Sequence, residues 1–181
     1  MENYQSLIKK VLALSFFAFT ANLSMPVFAA TDTANIQVSA TVLKSCQITA
    51  TPIAFGNYDP TSVSTHVATG TVSIACTKGS AGVWIGLDNG THFAAGTRNM
   101  NGGGADNLAY TIVQPSSATP GAGCPAYGTN TAWGNTIGTS PAFATPTSAA
   151  IRTFNVCGQL AGSQDVSVAT YTDTVIATVN F

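Results

Sequence analysis

The chain ends in YTDTVIATVNF (residues 171–181), a stretch in which large apolar and small polar side chains alternate. Alternation with period two is typical of a strand with one buried face, and it places Val175, Ala177, Val179 and Phe181 together on that face. Chain termini are usually polar and frayed, so this pattern predicts an unusual ending in which the last side chain is buried. We therefore expect the neighbouring sheet edge to be left uncovered by the chain itself.

The N-terminal residues have the features of a secretory signal peptide. Lys9 and Lys10 precede an apolar run at residues 11–19, and Val27-Phe28-Ala29 supplies the small residues that signal peptidase reads. Polar residues and Pro26 interrupt the stretch, whereas a transmembrane anchor needs about 20 apolar residues. We therefore expect a signal peptide at residues 1–29, cleavage after Ala29, no transmembrane anchor, and a mature chain that forms one domain.

Charged residues are rare in this mature part. Nucleic-acid binding is excluded as a function, because it needs clustered Lys and Arg to neutralise phosphates. Ser, Thr, Ala, Gly and Val dominate instead, and this composition favours strands and turns over helices. The positive residues are Lys44, Lys78, Arg98 and Arg152, and the negative ones are Asp32, Asp59, Asp88, Asp106, Asp165 and Asp173.

The cysteines predict disulfides rather than a metal site. Four widely spaced cysteines in an exported chain indicate two disulfides with three possible pairings. None lies in a Cys-x-x-Cys pair, and neither His66 nor His92 is close to one in sequence, so zinc is not expected. The four are Cys46, Cys76, Cys124 and Cys157.

Short strand-like runs separated by turn residues predict an all-β sandwich. An alternating stretch at residues 34–42 comes first, and Asn89-Gly90 predicts a hairpin between residues 83–87 and 92–93. Residues 114–150 are predicted to be a long connection with one short strand near Trp133, stapled to the body by Cys124. The remaining predicted strands are residues 46–50, 67–76, 81–87, 108–113, 151–156 and 166–168, followed by the terminal one.

No catalytic constellation is visible, so an enzyme is not predicted. The chain lacks a Gly-x-Ser-x-Gly elbow, and its scattered aspartates are explained as turn formers. His66 and His92 lie in or beside turns, far in sequence from any convincing carboxylate partner, and are expected to face solvent. The aromatic residues of the strand-like runs are expected in the core; these are Trp84, Tyr110, Phe154 and Phe181.

The chain resembles the spore coat protein U domain family, which includes the subunits of archaic (Csu-type) chaperone–usher pili. The likeness covers nearly the whole mature chain and rests on short motifs in a characteristic order. The motifs are Leu43-Lys44-Ser45-Cys46, Phe55-Gly56-Asn57-Tyr58, Val72-Ser73-Ile74-Ala75-Cys76, Leu108-Ala109-Tyr110, Tyr171-Thr172-Asp173-Thr174 and Thr178-Val179-Asn180-Phe181.

The resemblance implies an immunoglobulin-like antiparallel sandwich that lacks its last strand. In such pilins a periplasmic chaperone lends a strand to the open groove, and an outer-membrane usher exchanges it for the N-terminal strand of the next subunit. It implies a donor strand at residues 30–42, centred on Thr33 to Val42, and an incomplete domain at residues 43–181. The inserted side chains would be Ile36, Val38, Ala40 and Val42, and the groove floor would hold Val175, Ala177, Val179 and Phe181.

The resemblance further implies a Cys46–Cys76 disulfide and, with it, a Cys124–Cys157 disulfide. It implies no cofactor, head-to-tail polymers of pilin subunits, and a position at the cell surface in adhesion and biofilm formation. Two alternatives remain. Residues 33–42 would be the first strand of the chain's own sandwich, or the protein would be a monomeric secreted carbohydrate-binding or coat structural protein.

Overall fold

The computed structural model describes residues 28–128 and 131–181. The predicted signal peptide lies outside the described residues, apart from its last two. The chain divides into two units, residues 1–40 and residues 41–181. In the first unit, residues 28–40 form no strand and their side chains are exposed.

The second unit contains two antiparallel sheets, and the all-β prediction is confirmed. One sheet has the strand order β1-β2-β6-β5-β4, and the other pairs β3 with β7. The strands are β1 (Cys46–Thr51), β2 (His66–Cys76), β3 (Trp84–Leu87), β4 (Arg98–Asn101), β5 (Asn107–Val113), β6 (Arg152–Leu160) and β7 (Ala177–Asn180), and a short 3₁₀ helix spans Ile137–Thr139.

Alternate residues of the strands fill one core between these sheets. Val72 and Ile74 of β2, Ile85 of β3 and Phe154 of β6 are fully buried. Partly buried residues pack against them, including Val175, Ala177 and Val179 at the C-terminus. The period-two pattern of the sequence is therefore a reliable guide to the buried face of these strands.

Residues 114–150 pack against the sandwich through an aromatic residue and a disulfide. Trp133 is fully buried, and its Nε1–H donates to the carbonyl of Ile85 at 2.8 Å. Cys124 is bonded to Cys157 of β6, as Cys46 of β1 is bonded to Cys76 of β2. The strand predicted near Trp133 is reduced to one bridge between Val113 and Ala132.

Two predicted local elements are wrong, and one strand was not predicted. Asn89-Gly90 forms no hairpin, because β3 pairs with β7 and Thr91 N–H donates to Thr174 O. Residues 166–168 form no strand, since Ser167 binds the carboxylate of Asp106 instead. β4 was not predicted at all, because Arg98-Asn99-Met100-Asn101 lacks the apolar alternation that predicts a strand.

One prediction about a single side chain is also wrong. Phe181 is 52% exposed rather than buried, since β3 begins opposite Asn180 and offers no residue beside the last one. His92 is exposed as predicted, and its Nδ1 lies 3.1 Å from Oδ1 of Asp173, a carboxylate distant in sequence. Of the predicted core aromatics, Tyr110 and Phe154 are buried, whereas Trp84 is only half-buried.

Candidate functional site

The inward-facing residues of β7 turn their backbone groups away from β3. Ile85 donates its N–H to Ser140 Oγ, and Leu87 donates its N–H to Gly134 O, so neither residue bonds β7. Because hydrogen-bonded and non-bonded pairs alternate in an antiparallel ladder, Ile85–Val179 and Leu87–Ala177 are the non-bonded pairs. The N–H and C=O groups of Ala177 and Val179 therefore point toward the opposite, open edge.

The residues before β7 continue this arrangement. Thr172 exchanges both backbone hydrogen bonds with Asn101, and the carbonyl of Ile176 accepts from Asp88 N–H at 3.0 Å. The backbone groups of the even-numbered residues from 172 to 180 are thus directed toward Asn101, the loop at residues 88–91 and β3. Val175 lies between two of them, so its backbone groups face the open edge as well. We call residues 172–180 the C-terminal segment.

The edge of β1 is open in the same way. Thr77 N–H donates to Ser45 O at 2.9 Å, which makes this the bonded pair and Cys46–Cys76 a non-bonded one. Alternation then directs the backbone of Cys46, Ile48 and Ala50 away from β2. Cys46 and Ile48 also pack their side chains against the core.

The open edge of β1 and the open edge of the C-terminal segment face each other. Within the described residues, no hydrogen bond joins residues 46–57 to residues 166–181. The neighbours from β1 through β2, β6, β5 and β4 are all antiparallel, and Asn101 of β4 is bridged antiparallel to Thr172. β1 and the C-terminal segment therefore run in opposite directions. β1 and β7 approach to within 8 Å between Cα atoms without pairing, and a gap opens beside the residues that precede β7.

The gap is a groove with an apolar floor. A cavity of about 470 Å³ lies between residues 50–55 and residues 171–177. Its floor consists of buried core side chains, namely Val72, Leu87, Tyr110, Ile112 and Val156. Unpaired backbone groups on both walls above an apolar floor are the features that an added β-strand requires.

The groove continues into a second cavity of about 590 Å³ between residues 53–58 and 166–171. Leu108, Leu160 and Met100 line this part. The Ile53 side chain packs on the inner face of the sheet here, and its position explains why residue 158 is a glycine. A Cβ on Gly158 would lie 2.6 Å from the Ile53 side chain, so the segment after β1 packs where a larger residue would block it.

A polar network fixes the C-terminal segment at the rim of the groove. Asp173, whose side chain is 3% exposed, accepts hydrogen bonds from Tyr110 Oη at 2.6 Å and from Thr91 N–H at 2.9 Å. Desolvation raises the pKa of Asp173, but the hydrogen bonds from Tyr110, Thr91, the Thr174 N–H and His92 together outweigh it and leave that pKa below its usual value. Burial, followed by the hydrogen bond to Asp173, raises the pKa of Tyr110.

Arg98 is the buried cation behind this network. Its guanidinium donates to the carbonyls of Leu87, Asp88 and Trp133 at distances up to 3.0 Å. Burial lowers the pKa of Arg98, although arginine stays charged in proteins. Arg98 thus joins β4 to the end of β3 and to the long connection, and it holds the sheet that carries β7.

The predicted site residues separate into three groups. Val175, Ala177 and Val179 lie together along one wall of the gap, whereas Phe181 lies beyond the end of the paired strand. The predicted donor side chains are exposed, with Ile36 at 87% and Val38 at 89%. The β1 wall was not predicted; its signal was the apolar series Ile48, Ile53 and Phe55 in the sequence.

Comparison with known proteins gives the family. A model of the spore coat protein U domain matches residues 32–178. The chain is also 32% identical to "Protein U" of Myxococcus xanthus over 188 aligned positions, which cover 93% of each chain. The chain belongs to the spore coat protein U domain family.

The fold of this family member is similar to a solved structure from a pilus system. The match is a chain of the chaperone–tip adhesion subunit pre-assembly complex CsuC–CsuE, from the archaic chaperone–usher Csu pili of Acinetobacter baumannii. The TM-score is 0.52 with 23% identity over 78% of the present chain. The present chain spans about 40% of the length of that chain.

None of the helices in the described part of the chain is both long and apolar enough to cross a bilayer. Residues 28–128 and 131–181 also contain no group of three or more His, Cys, Asp or Glu side chains that could hold a metal ion.

Proposed function

We propose that this protein is a subunit of a chaperone–usher pilus and polymerises by donor-strand exchange. It is exported to the periplasm through the signal peptide at residues 1–29 and assembled by an outer-membrane usher into a fimbrium at the cell surface. There the polymer serves surface adhesion and biofilm formation. The observation that carries this proposal is the groove between two antiparallel strand edges with unpaired backbone groups on both walls.

The N-terminal segment fits this groove in length and pattern. Residues 34–42 and residues 172–180 have the same number of peptide units, which at about 3.3 Å per residue span about 27 Å each. Ile36, Val38, Ala40 and Val42 alternate with polar residues, so one face of an inserted strand would cover the apolar floor. Four apolar side chains at about 1 kcal/mol or more each would make this insertion strongly favourable.

The way in which the chain enters the domain supports exchange between molecules. Leu43 O accepts from Thr77 Oγ1 at 3.2 Å, and Ser45 pairs with Thr77 as well. Residues 43–45 thus extend the β1–β2 ladder beyond the end of the domain. To fill its own groove the chain would have to reverse at this point and break these bonds, whereas a groove in a second copy needs no reversal.

The experiment compares two charge-matched double variants of the mature chain, coexpressed with its periplasmic chaperone and released for assembly. Ile36→Asp/Val38→Asp places charges on the inserted face, and Asn35→Asp/Gln37→Asp places the same charges on the other face. We expect both variants to be recovered as one-to-one chaperone complexes. Only the second should form fibres visible by electron microscopy.

A deletion of residues 30–42 completes the test. The deleted protein should bind the chaperone and form no fibres, because its groove is intact but its donor is missing. Fibres from the deleted protein would refute the donor assignment. A stable full-length monomer that does not assemble would refute the pilus proposal.

A further inference from the structure

The charged side chains of Thr41–Phe181 are divided between the two ends of the sandwich. Arg98, Asp88 and Asp173 belong to the network beside the groove. Every other charged side chain of these residues lies at one end or the other. The cationic end carries Lys44, Lys78 and Arg152, and the anionic end carries Asp59, Asp106 and Asp165.

Backbone contacts fix the three cations at the end where β1 begins. Lys44 Nζ donates to Ala81 O at 3.1 Å, and Lys78 is exposed in the turn that follows β2. Arg152 is paired with Ile74 near the end of β2, and its Nη1 donates to Ala144 O. Its Nε and Nη2 are buried without a hydrogen-bond partner in the described residues, and its guanidinium lies over the Phe154 ring at 5.9 Å. No ion pair in the described residues involves these three cations.

The three carboxylates lie where β1 ends and β2 begins. The Asp59 carboxylate accepts a hydrogen bond from Thr61 N–H within its own turn. Ser163 N–H donates to Ser62 O, which connects this turn to the residues that follow β6. Asp165 is exposed two residues after Ser163. Asp106 directly precedes β5 and binds Ser167. No lysine or arginine of residues 41–181 lies among them.

The separation between the ends makes each behave as an independent patch. Eight residues of β2 separate His66 from Ile74, which corresponds to about 26 Å. The Debye length is about 8 Å at physiological ionic strength, so the two ends of one copy barely interact. Each end therefore repels a like end of another copy and attracts an opposite one at short range.

We propose that the cationic end of one copy docks on the anionic end of the next, and that this contact sets the polarity and speed of assembly. The docking partner is a second copy of this chain, because the two ends carry opposite charges. The cationic end is also where the N-terminal segment leaves the domain. This inference rests on the proposed donor-strand exchange and adds a second contact to it.

The contact also fixes the direction of the donor. A donor leaving the cationic end of one copy enters the neighbour's groove from its anionic end. Its last residues then lie beside the larger cavity at residues 166–171, and its first residues lie beside Val179. The donor thus runs parallel to β1 and antiparallel to the C-terminal segment. Val42 and Leu43, at 80% and 75% exposure, become covered at the mouth of that cavity.

Charge reversal at both ends tests the contact. Lys44→Asp/Lys78→Asp makes both ends negative, Asp59→Lys/Asp165→Lys makes both positive, and the quadruple variant exchanges the two signs. Arg152 is kept because part of its guanidinium is buried, and Asp106 is kept because it joins two distant segments through Ser167. The bonds lost with the substituted residues are one carbonyl contact of Lys44 and the bonds of Asp59 within its own turn. Mature subunits released from their chaperone complexes are assembled at about 50 mM NaCl, where screening is weak, and elongation is followed by light scattering.

We expect each single-end variant to elongate about tenfold more slowly and the quadruple variant to recover to within about threefold of the natural chain. High salt should remove the differences, because screened ends neither attract nor repel. A single-end variant that elongates at the natural rate would overturn the proposal. A quadruple variant that elongates as slowly as the slower single-end variant would also overturn it.

Binding of a synthetic peptide of residues 33–42 separates this inference from the proposed function. All variants should bind the peptide equally, since the charged ends lie outside the groove. If the natural chain does not bind the peptide, donor-strand exchange itself fails. If all variants bind it and all elongate alike, donor-strand exchange stands and only the end-to-end contact fails.

Discussion

Residues 34–42 and residues 172–180 both carry apolar side chains at alternate positions over much of their length, yet they differ in the folded chain. The C-terminal segment is bonded to β3, Asp88 and Asn101 along one edge, and its inward side chains pack on the core. In the N-terminal segment Ile36 and Val38 are almost fully exposed. Alternation therefore specifies which face of a strand is apolar, but not which chain supplies its partner.

The C-terminal segment differs from its N-terminal counterpart by having polar anchors. Asp173 connects it to Tyr110 of β5 and to the loop at residues 88–92. The Arg98 guanidinium connects β4 to β3, which pairs with β7. These anchors hold one wall of the groove in place although the other side of that wall is empty. Removing these anchors should detach the C-terminal segment from the core and expose its side chains, as those of the N-terminal segment are exposed.

The largest effect is expected from Arg98→Leu. The substitution leaves the carbonyls of Leu87, Asp88 and Trp133 without their donor, and each buried unsatisfied carbonyl costs about 1–3 kcal/mol. We expect the free energy of unfolding to fall by about 3–5 kcal/mol, measured by denaturant titration with tryptophan fluorescence. Arg98→Lys, which keeps the charge but not the fork of donors, should recover only part of it. A loss below about 1 kcal/mol would show that Arg98 does not anchor this sheet.

The second effect concerns Gly90, whose Cα faces the Asp173 carboxylate. A Cβ at this position would lie 2.1 Å from Oδ2 of Asp173, and the backbone φ is +80°. Gly90→Ala should therefore displace the anchor and cost about 2–4 kcal/mol. Gly121 has a similar φ of +77° with nothing near its Cβ position, so Gly121→Ala measures the backbone strain alone, at about 1 kcal/mol. Equal losses in the two variants would contradict the anchoring role of Asp173.

The parts of the fold that could be predicted from the sequence are those that depend on local pattern. β2 and β5 were predicted because their inward residues alternate along the strand. β6 was predicted only as far as Val156, because residues 157–160 are all buried and do not alternate. β4 was not predicted and the Asn89-Gly90 hairpin was predicted wrongly, because the pairing there is decided by Asp173 and Asn101, which are distant in sequence. The groove could not be predicted from side-chain pattern alone, because it is defined by backbone N–H and C=O groups that have no partner.

A smaller effect is expected from the titration of Asp173. Its pKa is lowered in the folded state, so its contribution to stability is complete above the unfolded value of about 3.9 and is lost as the pH falls through the folded value. The difference in melting temperature between the natural chain and Asp173→Asn should be constant above about pH 5 and shrink below about pH 4. Asp165→Asn, at an exposed carboxylate, should keep the acid profile of the natural chain. A constant difference down to pH 2 would contradict the assignment.

The smallest effect, and the sharpest test of the comparison, is a change in the N-terminal segment. Val38→Asp should alter the free energy of unfolding of the isolated subunit by less than about 0.5 kcal/mol, because exposed substitutions without partners have little effect. Val179→Asp, the same substitution at a half-buried site on the core, should cost several times more. Both should weaken strand exchange, measured as binding of the subunit by a second copy. If Val38→Asp destabilises the isolated subunit as much as Val179→Asp does, the segment is the first strand of its own sandwich, and exchange between molecules is not needed to explain its pattern.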